Sequence, residues 1–452
     1  KEKDFRATFE IKGKALYPQM KILFAMMREI LMESRLDDEK RLKEILAMLK
    51  SRLQMSFQSS GHTTSALRAL SYGSPLSKFK DDTDGIGFYE VVRGIEEHFE
   101  EKKAELIQNL KQLSRQIFRV DNVMISYTSS EDGLTPIEAA FREIKDTLYP
   151  ELDGEETPCV LHCRKRNEGF KTSSKVQYVA RVGNFIDHGA QYHGALQILK
   201  VILSYDYLWQ NVRVKGGAYG CMSNFNRIGE GYLISYRDPN LKKTMEVYEG
   251  VVDYLKNFTV DERDMTKYII GTISNIDRPM NPAAKGDRSM NLYMNHVSQE
   301  MIRTERSQIL HAAQEDIRAL AAVVEAMLKA EQICVIGSEE KECKEVKFCN
   351  VVFPAIKVQR PDPEFIRMIN ESNHIRYKYY GTPIKHTGTI YTVLSDGTIS
   401  DRSKFFKDYT INQALESCTT EMWNVVFWCV WVIMICGCVY GFCYLDNWWL
   451  ED

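Results

Sequence analysis

The chain has 452 residues, enough for two or three domains, and its 44% apolar fraction is sufficient to build real cores. A formal net charge of −3 is close to balanced and excludes the basic excess expected of a nucleic-acid binder. Eleven cysteines show no regular framework, and four of them (Cys429, Cys436, Cys438 and Cys443) share one apolar run, which points to reduced thiols rather than disulfides.

The chain opens without Met on KEKDFRATFEIKGKAL, and residues 5–14 alternate like a strand already under way. No signal-peptide pattern is visible, and the opening reads as a cut from a longer protein. PQMKILFAMMREILMES follows with apolar residues at helical spacing. Asp37, Asp38 and Glu39 begin another helical run, DDEKRLKEILAMLKSRLQMSF, acidic first and basic later as the helix dipole favours. GHTTSALRALSYG continues in helical style, and a helical pair spans about Gly87 to Leu113. NVMISYT, from Asn122 to Thr128, is predicted as a strand and PIEAAFREIKDTLYP as a helix.

The turn-rich PELDGEETP at Pro150 to Pro158 marks a domain boundary. Beyond it come strand-like CVLHCRK and KVQYVARV, a helix from about Gly194, and strands around Gly220 to Tyr236. Helices from Asn240, Asp261 and Glu315 and a last strand, QICVIGS, complete the order. The expected fold class is α+β: two similar domains, each an antiparallel sheet packed with helices, at residues 1–150 and 151–354.

Residues 355–420 read as a linker or small β hairpin with its turn at Ser395 to Gly397. Residues 421–452 hold the uncharged run Val425 to Leu445, VVFWCVWVIMICGCVYGFCYL. As a helix it would be roughly 30 Å long, the thickness of a bilayer's hydrocarbon core. Trp423, Trp448 and Trp449 flank it as an aromatic belt would. A buried hairpin or core helix is the competing reading. Arg402, Lys404 and Lys407 lie before the run and Asp446, Glu451 and Asp452 after it. By the positive-inside rule residues 425–445 then anchor a cytoplasmic-facing protein; without the anchor the chain belongs to the cytoplasm or an organellar matrix.

The nine histidines form neither HExxH nor HxxEH, the strings by which zinc peptidases place two ligands and a general base on one helix face. His188 and His193, in DHGAQYH beside Asp187, fit neither spacing and read as loop or helix-start residues. Cys159, His162 and Cys163 in CVLHC are soft ligands, but a strand would turn His162 away from the two cysteines, and no second cluster follows. GxSxG, a P-loop and GxGxxG are absent. SYGSP around Ser74 and SDGTIS before Asp401 are turn chemistry. No catalytic or metal-ligating set is complete in this chain.

NVRVKGGAYG, from Asn211 to Gly220, has two readings. One is a tight turn between helix and strand. The other is a substrate clamp, in which Arg213 and Tyr219 donate hydrogen bonds to a peptide carbonyl or developing oxyanion while Gly216 and Gly217 let a chain come close.

DYLWQNVRVKGGAYG, then ISYRDPNLKKTMEVYEGV, then KYIIGTISNIDRPMNPAAKGDRSM, resemble the C-terminal half of the insulinase/pitrilysin metallopeptidases, and within them the presequence-protease-like oligopeptidases. RLKEILAMLKSRLQMSFQSSGHTTSALRALSYGS resembles the third domain of such enzymes and ILHAAQEDIRALA their closing helices, so the resemblance covers about residues 5–354. It implies four similar α+β domains in two halves that close around an unstructured peptide. It also implies that zinc and the HxxEH general base lie on an N-terminal half missing from this chain, which binds no metal and is inactive alone. The family's substrate-contacting Arg and Tyr fall on Arg213 and Tyr219, with GGAY between them. The partners implied are a peptide substrate and the HxxEH half, with the membrane added by the tail. The alternative function is a non-catalytic, membrane-anchored peptide-binding or scaffold protein of the same fold. Asp238 before Pro239 reads as a helix cap and Asp277 to Pro279 as a helix-ending turn. Arg237 and Lys285 face either the peptide chamber or solvent.

Overall fold

The computed structural model describes residue 5 and residues 7–130, 133–151, 161–172 and 175–338, together with two short strands at Thr392–Val393 and Ile399–Ser400. The described residues up to Ser338 form one compact unit, and the short antiparallel pair belongs to a second. That pair brackets the turn expected at Ser395 to Gly397. No helix among the described residues is long and apolar enough to cross a membrane, and the span expected at 425–445 lies outside them.

The first part of the unit is helical: α1 (Met20–Glu33), α2 (Glu39–Ser59), α3 (Gly61–Leu70), α4 (Pro75–Asp84), α5 (Ile86–Glu97), α6 (Phe99–Ile117) and α7 (Leu134–Lys145). The sequence sets these starts locally. Asp38 accepts from the Arg41 N–H at 3.0 Å to cap α2, and Ser74 accepts from Ser77 at 3.2 Å to cap α4 just before Pro75. α2 then buries Leu42, Ile45, Leu46, Leu49, Leu53 and Phe57 along one face.

No strand forms among the described residues before Glu168, which corrects the expectation of two sheet domains. The segments expected as strands, 5–14 and Asn122 to Thr128, have suitable alternation but no neighbouring strand to take their backbone groups. Val123, Met124 and Tyr127 remain exposed in consequence.

A single sheet follows, made of β1 (Glu168–Thr172), β2 (Tyr178–Asn184), β3 (Gly220–Phe225), β4 (Glu230–Tyr236) and β5 (Gln332–Ser338) in the order β1-β5-β2-β4-β3. It is mixed rather than antiparallel, because β1 pairs in parallel with β5 while the other pairs are antiparallel. The helices of this part are α8 (Ala195–Ile202), α9 (Lys242–Glu249), α10 (Val251–Lys256), α11 (Glu262–Ile276), α12 (Pro282–Met294), α13 (Gln299–Leu310) and α14 (Gln314–Leu328).

The central strand β2 is covered on both faces. Val179 joins Leu199, Leu233, Tyr248, Val324 and Val335 in the core beneath α8, α10 and α14. Tyr178, on the opposite face, lies against the start of α3, which crosses β2, β4 and β5. The sheet is therefore packed between two helical layers, one from each part of the chain.

Arg68 joins those layers. Its Nε and Nη2 donate to both carboxylate oxygens of Glu168 on β1, at 2.6 and 3.0 Å, and its Nη1 donates to Asp81 Oδ2 at 2.6 Å. The Tyr72 hydroxyl adds a bond to Glu168 at 3.0 Å, and Asp81 also accepts from the Ile86 and Gly87 N–H groups at 3.0 and 3.2 Å. All three charged groups are buried. Burial pushes the Glu168 carboxyl up, but the hydrogen bonds and charge of Arg68 outweigh it and hold the group below its ordinary value.

Arg68→Met should lower stability by about 3–5 kcal/mol, because it strands two buried carboxylates; the urea midpoint will report it. The depressed carboxyl of Glu168 contributes stability that is present above its ordinary value of 4.5 and lost as pH falls through the folded value. Glu168→Gln should therefore lie far below the parent in stability near neutrality and converge toward it in acid, as equilibrium unfolding at a series of pH values will show.

Candidate functional site

After α8 the chain continues as two π-helical stretches, Leu203–Tyr207 and Trp209–Val214. The buried residues explain the winding. Leu199, Leu203, Leu208 and Val212 all enter the core, in steps of four, five and four. An α-helix of 3.6 residues per turn would carry such a series off one face, whereas a wider turn keeps it inward. The Lys215 N–H closes one such wide turn on the Gln210 carbonyl at 2.9 Å.

The helix end and the glycines then fix the loop. Gly217 donates to the Arg213 carbonyl at 2.8 Å and Ala218 to the Val212 carbonyl at 3.1 Å. A Cβ on Gly216 would run into the Val212 carbonyl, and Gly217 has φ +81°, a left-handed backbone that disfavours side chains. Both glycines thus have a local reason to be there. Asn240 donates to the Gly216 carbonyl at 2.5 Å. Asp238 is buried and accepts from the Asn240 N–H at 2.8 Å and the Thr244 hydroxyl at 2.6 Å. It braces this turn rather than capping α9, which starts later, at Lys242.

The structure brings Arg213 and Tyr219 together. The Arg213 guanidinium carbon lies 3.9 Å from the centre of the Trp209 ring and 5.7 Å from that of Tyr219. No carboxylate pairs with Arg213 among the described residues, so its N–H donors remain available. Tyr219 is 66% exposed, with its backbone N–H donated to the Tyr236 carbonyl at 3.0 Å.

An aromatic stack lies beneath. Tyr219 meets Tyr236 edge-on at 5.7 Å, and Tyr236 meets His62 of α3 at 4.8 Å. Burial pushes His62 down to about 4, so it is neutral at ordinary pH. Arg237, with φ +50°, lies 5.4 Å over the Tyr236 ring and hydrogen-bonds the Tyr178 hydroxyl. Lys285 is exposed on α12. Trp209, Tyr236 and His62 escaped sequence reasoning. Trp209 had a signal, being four residues before Arg213 in a helical run; the other two meet only through tertiary packing.

The metal alternatives place differently. The His193 ring accepts from the Ala195 N–H at 3.2 Å, at the start of α8, and His188 lies in an exposed turn. Cys159 falls outside the described residues, while His162 is exposed. Among the described residues no three His, Cys, Asp or Glu side chains are grouped to hold a metal ion, so these residues do not fit a zinc site. Asp277 follows α11 and forms a two-bond ion pair with Arg306, at 2.6 and 2.7 Å.

The sequence matches two family models: the associated domain of M16 peptidases, subfamily C, over residues 1–95, and the "PreP C-terminal domain" over residues 167–339. It is 38% identical over 342 residues to Protein HypA of Clostridium perfringens, covering 75% of this chain and 35% of that protein. Presequence protease 1, chloroplastic/mitochondrial, of Arabidopsis thaliana is 27% identical over 347 residues, covering 75% of this chain and 32% of its own length. The crystal structure of pitrilysin aligns with 50% of this chain and 25% of its own at TM-score 0.34 and 9% identity, so the relationship rests on sequence. The chain spans about a third of the length of the curated relatives it matches. It belongs to the presequence-protease group of the pitrilysin (M16) superfamily, where it corresponds to the C-terminal region.

Proposed function

We propose that this chain is the C-terminal part of a zinc-dependent oligopeptidase that hydrolyses unstructured peptides, and that it contributes the substrate contacts of Arg213 and Tyr219. The supporting observation is a cation without a carboxylate partner beside an exposed tyrosine, 5.7 Å apart and both fixed to the end of a packed sheet. The described residues offer no zinc site, so the hydrolytic chemistry belongs to a region outside them, the HxxEH half. That half is either a separate chain or another part of the same protein. The same proposal divides the chain near residue 150.

Arg213 and Tyr219 are both donors. An N–H of the guanidinium and the phenol O–H would donate to the carbonyl oxygen of the bound peptide, which gains negative charge when the carbonyl is attacked. The donors are already oriented by the rings and the loop, so little reorganisation accompanies the reaction. Gly216 and Gly217 keep side chains off the approach to the pair. A peptide strand laid beside this loop would be held by main-chain hydrogen bonds as well as side-chain pockets.

The test is to recover the full chain from its native lysate in mild detergent and measure zinc and peptide cleavage in the eluate. Chelator-sensitive cleavage should fall about 10²- to 10³-fold in Arg213→Ala and in Tyr219→Phe. A zinc-free chain with no cleavage and no zinc-bearing partner would refute the proposal in favour of a scaffold of the same fold. Cleavage unchanged by both substitutions would remove the pair from the reaction.

A further inference from the structure

We infer that Trp209 is a positioning residue that sets the orientation of the Arg213 guanidinium; its role in turnover rests on the reading that Arg213 meets the substrate. Two observations carry it independently. The guanidinium carbon is 3.9 Å from the centre of the Trp209 ring, close enough for the two planes to lie in van der Waals contact. The backbone between them is π-helical over Trp209–Val214.

The winding matters because it decides which residues share a face. Four residues make slightly more than one α-helical turn but slightly less than one wider turn. The core demands the wide turn through Leu208 and Val212, and the same turn stacks Trp209 against Arg213 on the outer face. A single constraint in the interior thereby aims the cation outside.

The indole also suits the task chemically. An arginine without a carboxylate partner rotates freely about its long stem, and an ion pair would consume the donors that a ligand needs. A ring face holds the guanidinium through its plane and leaves the N–H groups at the edge free. The Tyr219 ring, 5.7 Å from the same carbon, limits motion on a second side.

The test uses the full chain with ¹⁵N-labelled arginine, the Arg213 Nε–H signal being assigned by its loss in Arg213→Lys. Stacked on an indole, that signal should be displaced upfield by the ring current. Trp209→Phe should keep part of the displacement and Trp209→Leu should abolish it, with circular dichroism reporting that each variant is folded. An Arg213 signal at the ordinary position in the parent chain overturns the inference, as does a displacement that Trp209→Phe leaves untouched; the latter needs no leucine variant to fold.

In the zinc-bearing enzyme, Trp209→Leu should lower kcat roughly 2- to 30-fold with KM little changed, which is about 0.5–2 kcal/mol. Trp209→Phe should recover most of it. A kcat that Trp209→Leu leaves unchanged while Arg213→Ala lowers it also overturns the positioning role. If Arg213→Ala itself leaves turnover unchanged while the ring-current shift is present, the stack stands and the substrate-contact reading fails.

Discussion

The buried contact of Arg68 with Glu168 and Asp81 is the constraint on which the arrangement depends. One cation faces two carboxylates away from water, which leaves one negative charge to be compensated. The start of α5 supplies the compensation, because Asp81 accepts from the Ile86 and Gly87 N–H groups at the positive end of that helix. A buried ion pair of this kind often adds little net stability compared with an apolar replacement. Its effect is selective: any other placement of α3 against β1 leaves a charge uncompensated, and that costs several kcal/mol.

α3 transmits that placement to the candidate site. Arg68, late in the helix, holds β1, while His62 at its beginning lies under Tyr236 and beside Tyr178, with ring centres 4.8 and 6.2 Å away. Tyr178 in turn donates from its hydroxyl to the Gln58 carbonyl at 2.5 Å, tying β2 to the end of α2. Tyr219, exposed on the loop before β3, therefore stands on an aromatic column whose base belongs to the helical part of the chain. The clamp loop belongs to one part, and its support comes from both.

The other half of the pair is positioned from within the core. The π-helical stretches exist because Leu203, Leu208 and Val212 must all face inward, and Arg213 follows immediately after the last of them. Such stretches are rare and are enriched at functional sites, as expected where an inserted residue re-aims a side chain. Gly216 and Gly217 then turn the chain directly into β3. Arg213 and Tyr219 thus share one short segment, held at each end by burial.

The sequence alone determined the helices and their caps, since these depend on residues a few positions apart: Asp38 before α2, Ser74 before Pro75, and the apolar spacing of α2 were all legible. It also determined which residues to watch, because RVKGGAYG and its neighbours carry a family pattern dense enough to locate Arg213 and Tyr219. Only the tertiary structure decided that the strand-like 5–14 and Asn122 to Thr128 stay unpaired, because alternation describes one strand and pairing requires two. The parallel pairing of β1 with β5 was likewise invisible, since it joins residues as distant in the chain as Glu168 and Cys334. So was the coupling of α3 to the site, through Glu168, Tyr178 and Tyr236. Local spacing encodes a helix, but a buried charge or a stacked ring takes its meaning from a partner that the chain supplies elsewhere.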